Sequence, residues 1–446
     1  MSFEELRAKY PKFIYEDFKV EEIDNELVCT FYFNIPGLTT FEPIIKFPIE
    51  KEYDKELVNY LVFHIGLVEL VSYFKCTCSP NIEIKAGYLD EYQINWFKKL
   101  YYYGLGEFMY VNKIDCSMND LMHITCTSNR KFNFNTDYNS SGNLIAIGGG
   151  KDSIVSLELL KGYDNLCHMI NPKKVSIDVC NTAGVDYYGI IRTLDKKIIE
   201  LNKEGFLNGH TPFSSLVAFV SYLACYLNNK KYIVLSNEGS ANEPTVLGTK
   251  INHQYSKTYE FELDFDEYTK RYFNLRIKYF SLLRPLKEIQ IAMLFSKYKK
   301  YHTIFKSCNV GSKSEPWEWC CNCPKCLFVF IILRVFLSKE EMVNIFGRNV
   351  LDNEDLLNSF LELIGESDTK PFECIGTIEE VRFAMNKIIE DDDSYLSNIY
   401  REKYYKPENI DLNKLYYENN VIPEYLDVLK EAIRSEKQDN TGIKKV

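Results

Sequence analysis

The sequence predicts an α/β protein: a doubly wound parallel sheet in the middle of the chain, an N-terminal α+β domain before it and a helical C-terminal region after it. Three observations carry this prediction. Short apolar strands alternate with helical patterns from Asn143 onward, the first 50 or so residues read as β structure followed by two amphipathic helices, and beyond Leu327 the patterns are helical. For 446 residues, at roughly 150 per domain, two or three domains are expected. Divisions at residues 1–140, 141–330 and 331–446 follow the changes in texture.

Leu27-Val-Cys-Thr-Phe-Tyr-Phe-Asn34 is β-branched and aromatic, as a strand requires, and Ile35-Pro-Gly37 reads as a turn into a second extended stretch. Leu57, Tyr60, Leu61, His64, Val68 and Val71 follow helical spacing, and so do Ile94, Trp96, Phe97, Leu100, Tyr101 and Leu105. The polar stretch Asn133 to Gly142 marks the first boundary. Leu144–Ile147 is then predicted as a strand leading into a helix at Ser153–Leu160. Val175–Val179 is predicted as a strand before a helix near Ile190–Leu201, and Tyr232–Leu235 as a strand after the helix Ser214–Leu227. Parallel sheets bind ligands beyond the carboxyl ends of their strands, so the loops after Ile147, Val179 and Leu235 are where chemistry is expected. Ser338-Lys-Glu-Glu341, closed by Gly347, and Thr377-Ile-Glu-Glu380 are capping boxes that open later helices.

Composition excludes several classes. With 53 Lys and Arg against 63 Asp and Glu, the formal net charge is -10, which argues against a nucleic-acid-wrapping or membrane-surface protein. The start MSFEELRAKY has no apolar signal core. The longest apolar run, Leu327–Leu337, is 11 residues and contains Arg334, short of the ~20 that cross a bilayer. A cytoplasmic protein without membrane insertion is expected, in which the 14 cysteines are reduced thiols.

Gly148-Gly-Gly-Lys-Asp-Ser153 follows a predicted strand and opens a helix. Glycines permit a turn at positive φ, the first amides of the helix face whatever anion sits in that turn, and Lys151 and Ser153 add a charge and a hydroxyl. The spacing is neither a Walker A loop nor a dinucleotide fingerprint, and the plainer reading is a tight strand-to-helix turn. Cys308, Cys320, Cys323 and Cys326 are spaced to converge on one cation, with zinc favoured over an iron–sulfur cluster. Four thiolates would leave no open position, which makes such a site architectural. Cys321 lies within the cluster and could take the place of a neighbour. Ser236-Asn-Glu-Gly-Ser-Ala241 and Asn252-His-Gln-Tyr-Ser-Lys257 are dense polar loops: Glu238 could hold magnesium or accept a proton, and His253 and Lys257 could meet an anionic substrate. His210-Thr-Pro212 reads equally as a helix-start turn or a substrate contact. Cys374, just upstream of a capping box, is either a buried filler or an acid–base thiol.

The strand-GGGKDS-helix unit resembles the pyrophosphate loop of the ATP pyrophosphatase superfamily, with Gly148 where a Ser is usual. The loop together with four cysteines is similar to 7-cyano-7-deazaguanine synthase, an enzyme about half as long. A closer resemblance is to the UDP-N-acetyl-α-D-muramoyl-L-alanyl-L-glutamate epimerases of peptidoglycan synthesis, through Gly148–Ser153, Ser236-Asn-Glu238, Asn252–Lys257, Trp319–Cys326 and Lys370-Pro-Phe-Glu-Cys374. That resemblance implies an adenine nucleotide alpha hydrolase-like sheet. It implies ATP held by Gly148, Gly149, Gly150, Lys151, Asp152, Ser153, Ser236 and Asn237, with Asp152 orienting the loop or a magnesium-bound water, and a UDP-sugar-linked dipeptide as substrate. His253, Glu238 and Cys374 are then the candidates for proton transfer, His253 foremost. Two alternatives stay open: another adenylating enzyme, acting on a purine-like carboxylate or on tRNA, and a nucleotide-binding protein without turnover.

Overall fold

The computed structural model describes residues 1–135, 137–242, 255–308, 310–311, 318–367, 371, 373 and 375–434. Among the described residues eleven strands form one mixed sheet: β1 (Lys12–Ile23), β2 (Glu26–Ile35), β3 (Thr39–Phe41), β4 (Ile44–Pro48), β5 (Asn81–Ile84), β6 (His123–Cys126), β7 (Asn143–Ala146), β8 (Asn165–Ile170), β9 (Tyr187–Thr193), β10 (Tyr232–Leu235) and β11 (Lys278–Ser281). Their order is β11-β10-β7-β8-β9-β4-β2-β1-β5-β6, with β3 on β2. From β11 to β9 every neighbouring pair is parallel, and chain order reverses between β7 and β10. β4 meets β9 antiparallel, Ile45 opposite Arg192, so strands from either side of residue 140 share one sheet.

Alternation within the strands explains why both faces of the parallel part are covered. Leu144, Ile233, Leu235 and Tyr279 point into a core closed by the helices Phe213–Leu227 and Tyr259–Tyr272, and this core runs on into the aromatic interior around Phe13, Phe31 and Phe63. Ile145, Val234 and Phe280 point the other way, into a core closed by Lys151–Leu159, Glu288–Ser296 and Pro324–Arg334. Arg192 of β9 donates to both oxygens of the buried Glu69, at 2.8 and 2.9 Å, pinning β9 to the helix Lys55–Glu69. The helical stretch Lys55–Phe74 is long and apolar enough by composition to cross a membrane, yet 83% of its most apolar window is buried inside the protein.

Several expected elements are found nearly as read: β2, β10, the turn at Gly37 (φ +80°), and the helices Lys55–Glu69, Glu91–Gly104 and Phe213–Leu227. Both capping boxes are present, Ser338 with Glu341 and Thr377 with Glu380. One region differs. Val175–Val179 lies in a helix, Lys174–Ala183, and the expected helix Ile190–Leu201 begins as β9 and turns helical only at Lys197–Lys203. The alternating Val175, Ile177 and Val179 suggested a strand, but burial falls on Val175, Ser176, Val179 and Cys180, a helical repeat carried partly by small residues. The true neighbouring strand, β8, contains Asn, Cys and His and has only one β-branched residue, so its propensity signal is weak.

Candidate functional site

The reversal of strand order between β7 and β10 opens a crevice at the carboxyl ends of the strands. A cleft of about 420 Å³ fills it. Gly148, Gly150, Asp152 and Ser153 line one wall, Ser236, Asn237 and Glu238 another, and His168, Met169 and Ile170 a third. Ala146, Val175, Phe213 and Val217 make part of the cleft apolar.

The glycine loop is built by close approach. Gly149 has φ +86°, and a Cβ there would lie 2.5 Å from Val175 Cγ1. At Gly150 a Cβ would come within 2.9 Å of Ser307 Oγ, whereas Gly148 has open space before it. Of the three, only the middle glycine takes the left-handed backbone. Gly150 caps the helix Lys151–Leu159 without a side-chain bond, and among the described residues its first amides have no side-chain acceptor. Ser153 Oγ donates to the Gly150 carbonyl at 3.0 Å and tightens that turn.

Lys151 does not line the cleft. Its side chain is buried and its ammonium donates to Asp152 and to the fully buried Glu288. Burial alone would lower the Lys151 pKa, but the two carboxylates outweigh it and hold the group well above its ordinary range. Burial pushes the Glu288 carboxyl up to about 8 against the attraction of Lys151, with Asp152 and Glu238 pushing the same way as burial. Its Oε1 has no hydrogen-bond partner among the described residues. The cations that do line the cleft are Lys173, Lys257, Lys306 and Lys325, and burial draws the Lys306 ammonium below its usual range.

Arg284, fully buried, holds the other wall. It donates to the Glu238 carbonyl at 2.9 Å, the Lys257 carbonyl at 2.6 Å and the buried Glu262 carboxylate at 3.3 Å. Ser236 Oγ donates to Ser156 Oγ at 2.7 Å and Asn237 Nδ2 to Ser281 Oγ at 3.0 Å, so both side chains tie their loop to neighbouring elements. Tyr417 covers the same loop: a Cβ on Gly239 would fall 1.9 Å from its ring. His168 is buried in the third wall, its Nε2 3.1 Å from Ser221 Oγ and its Nδ1 unpartnered among the described residues. Burial lowers its pKa to about 4, so the imidazole is neutral near pH 7.

The four expected cysteine sulfurs converge. Cys308, Cys320, Cys323 and Cys326 have Sγ atoms all within 4.8 Å of one another, a group that could hold a metal ion. The Gly311 amide donates to Cys308 Sγ at 3.1 Å and the Cys326 amide to Cys323 Sγ at 3.4 Å. Cys321 is excluded: with φ +50° its thiol turns away and donates to the Phe346 carbonyl at 3.3 Å. Cys321→Ser is therefore expected to keep full metal content, while Cys320→Ser and Cys323→Ser lose most of it, as read by elemental analysis of purified protein. Equal loss in all three variants would contradict this geometry. The cluster adjoins the cleft, because Cys308 lines it and the Lys306 amide two residues earlier donates to the Gly149 carbonyl at 3.1 Å.

Of the other candidates, His253 and Cys374 lie outside the described residues. His210 faces Glu107 at 3.5 Å, and Pro212 packs where a Gly104 side chain would stand, so this turn joins helices and is not part of the cleft wall. Sequence reasoning missed Arg284, whose signal was a lone Arg in the apolar stretch Leu282–Leu286. It missed Lys306 and Lys325, which flank cluster cysteines, and Lys173 and His168, which belong to the unrecognised strand β8 and the loop after it. Glu288 carried no signal, since a charged pair such as Lys287-Glu288 at a helix start is ordinarily solvated.

Comparison with known families is decisive about kinship. Residues 4–282 match the MurL N-terminal domain and residues 304–409 the MurL C-terminal domain. The chain belongs to the MurL family. Among MurL proteins, it is similar to the UDP-N-acetyl-alpha-D-muramoyl-L-alanyl-L-glutamate epimerase of Xanthomonas oryzae pv. oryzae, 36% identical over 339 residues, covering 72% of each chain. The Micromonospora sp. protein of that name is 32% identical over 406 residues, 88% of this chain and 90% of its own. The Salinispora tropica protein of that name is 34% identical over 328 residues, 72% of this chain and 71% of its own. Both MurL domains contribute to the cleft: the glycine loop and Glu238 lie within the first, and Lys306, Ser307 and Lys325 within the second.

Proposed function

We propose that this chain epimerises the terminal L-glutamate of UDP-MurNAc-L-Ala-L-Glu to D-glutamate through an acyl-adenylate formed from ATP, releasing AMP and pyrophosphate. The observation that carries the reading is the convergence, in one crevice of a MurL-family chain, of a glycine turn, free helix-start amides and four lysines. Such a wall suits a polyphosphate. Adenylation answers a chemical difficulty. A carboxylate beside the α-carbon resists enolate formation because it is already negative, and converting it to a mixed anhydride removes that charge and withdraws electrons. A modest base then takes the α-proton, reprotonation from the opposite face inverts the centre, and hydrolysis returns the carboxylate.

Within this reading Gly148, Gly149, Gly150 and Ser153 cradle the phosphates, and Lys151 acts by orienting Asp152. Asp152 and Glu238 both face the cleft and are suited to hold magnesium, which would screen the phosphate charge during adenylyl transfer. His253, Glu238 and Cys374 are the groups assigned to proton transfer, His253 foremost. Zinc at the cysteine cluster is structural: a tetrahedral site with bonds of about 2.3 Å needs sulfurs about 3.8 Å apart. The Cys320 and Cys326 sulfurs already lie 3.6 Å apart.

Incubation with UDP-MurNAc-L-Ala-L-Glu, ATP and magnesium should yield the D-glutamate product with at least one AMP per inversion. Inversion without ATP consumption would remove the adenylate, and AMP formation without inversion would point to a different adenylating enzyme. Asp152→Ala should lower pyrophosphate release on the order of 10²- to 10³-fold in protein that remains folded. In deuterated water, His253→Ala should still form AMP yet incorporate little deuterium at the α-carbon. Wild-type incorporation in both His253→Ala and Cys374→Ala would displace these residues from proton transfer.

A further inference from the structure

A second cavity, of about 400 Å³, lies at the opposite end of the parallel strands. Lys231 immediately precedes β10, and Tyr232 and Lys278 open β10 and β11, so this cavity sits at amino-terminal strand ends while the cleft sits at carboxyl ends. Among the described residues four cations line it, Lys231, Lys270, Arg276 and Lys278, against one anion, Asp266. That is a local excess of positive charge in a chain of net charge -10.

The polar groups are incompletely matched. Asp266 is only 6% exposed. One of its oxygens meets Lys270 at 2.6 Å and Lys278 at 4.0 Å, while Oδ1 is buried and has no hydrogen-bond partner among the described residues. Burial draws the Lys278 ammonium below its ordinary range, Asp266 opposing this and Lys270 adding to it. Lys278 donates to Asn420 Oδ1 at 2.8 Å, and the buried Nδ2 of Asn420 is likewise unpartnered among the described residues. Arg276 is exposed at the rim and makes no hydrogen bond or ion pair among the described residues. It occupies the left-handed region, φ +57°, in the turn that it shares with Asn274 at φ +52°.

We propose that this cavity is a binding site for a phosphorylated small molecule that carries at least one hydroxyl group. The phosphate lies between Lys231, Arg276 and Lys278, where charge-assisted bonds relieve the crowding of like charges, and a hydroxyl faces Asp266, which lines the cavity. The site is separate from the cleft, and its occupant leaves a nucleotide in the cleft undisturbed.

Titration calorimetry on the full chain at low ionic strength tests this with ribose 5-phosphate, inorganic phosphate and ribose as probes. Ribose 5-phosphate should bind saturably at one site, phosphate at least 5-fold more weakly, and ribose not measurably. The double variant Lys231→Gln/Arg276→Gln changes two exposed side chains, so the fold is retained, and it should weaken ribose 5-phosphate at least 10-fold while leaving affinity for the ATP analogue unchanged. Absence of saturable binding or unchanged affinity in the double variant would each overturn the proposal.

Discussion

Arg284→Ala is expected to lower the free energy of unfolding by about 3–5 kcal/mol and to weaken the nucleotide binding proposed for the cleft at the same time. Arg284 is fully buried, and its removal leaves Glu262, 1% exposed, as a buried carboxylate without its cation. Burial already raises the Glu262 pKa and Arg284 opposes that rise, so in the variant the carboxyl takes up a proton more readily. The same guanidinium holds the carbonyls of Glu238 and Lys257, so one substitution releases two loop segments beside the cleft. Urea titration of Arg284→Ala beside Arg284→Met/Glu262→Gln separates the effects. The double variant should recover most of the stability, because no buried charge is left unpaired, but not the nucleotide affinity. A loss below about 1 kcal/mol in Arg284→Ala would mean that the pair is not buried in solution as described.

For Lys151 and Glu288 the expected result is a pH dependence. The Glu288 carboxyl is pushed from 4.5 up to about 8 in the folded protein, so the folded state binds its proton more tightly than the unfolded chain. The stability this confers is complete below pH 4.5 and is lost as the pH rises toward 8, at a slope of at most ~1.4 kcal/mol per pH unit. Lys151, held above its ordinary value, keeps its charge throughout that window. Thermal melts between pH 5 and 8 should therefore fall more steeply for wild type than for Glu288→Gln. Lys151→Met, which leaves Glu288 facing Asp152 and Glu238 without the cation, should cost about 3–5 kcal/mol at pH 8 and less at pH 5. Parallel slopes in wild type and Glu288→Gln would remove Glu288 as the titrating group.

What could be read beforehand depended on how local each signal was. The glycine loop announces itself because a strand, a close-approach turn and a helix start are contiguous, and the cysteine cluster because Cys320, Cys323 and Cys326 follow one another with two residues between. β10 and its helix were legible from propensity alone. β8 was not: its residues are weak strand formers, and their placement is decided by partners on β7 and β9 that are distant in sequence. Losing β8 hid the loop after it, and with it Lys173 and His168. The lysine of the motif was expected to face an anion, but the buried Glu288 more than a hundred residues later claims it. Such a pairing leaves no mark on either local sequence. Cys321 shows the same limit on a smaller scale, since only its left-handed backbone distinguishes it from the ligands on either side.

The antiparallel seam between β4 and β9 bears on how the chain survives its own synthesis. Without β4, the outer edge of β9 would present unpaired backbone groups flanked by the exposed Tyr187 and Ile191, the kind of bare ribbon that recruits other chains. Translation avoids that hazard by its order: β4 leaves the ribosome more than a hundred residues before β9, and domains generally fold as they emerge. The acceptor is thus in place when the vulnerable strand arrives. A chain begun at residue 141 would meet the opposite situation, and its tendency to associate through β9 would be a defect of assembly order with the chemistry of the cleft untouched.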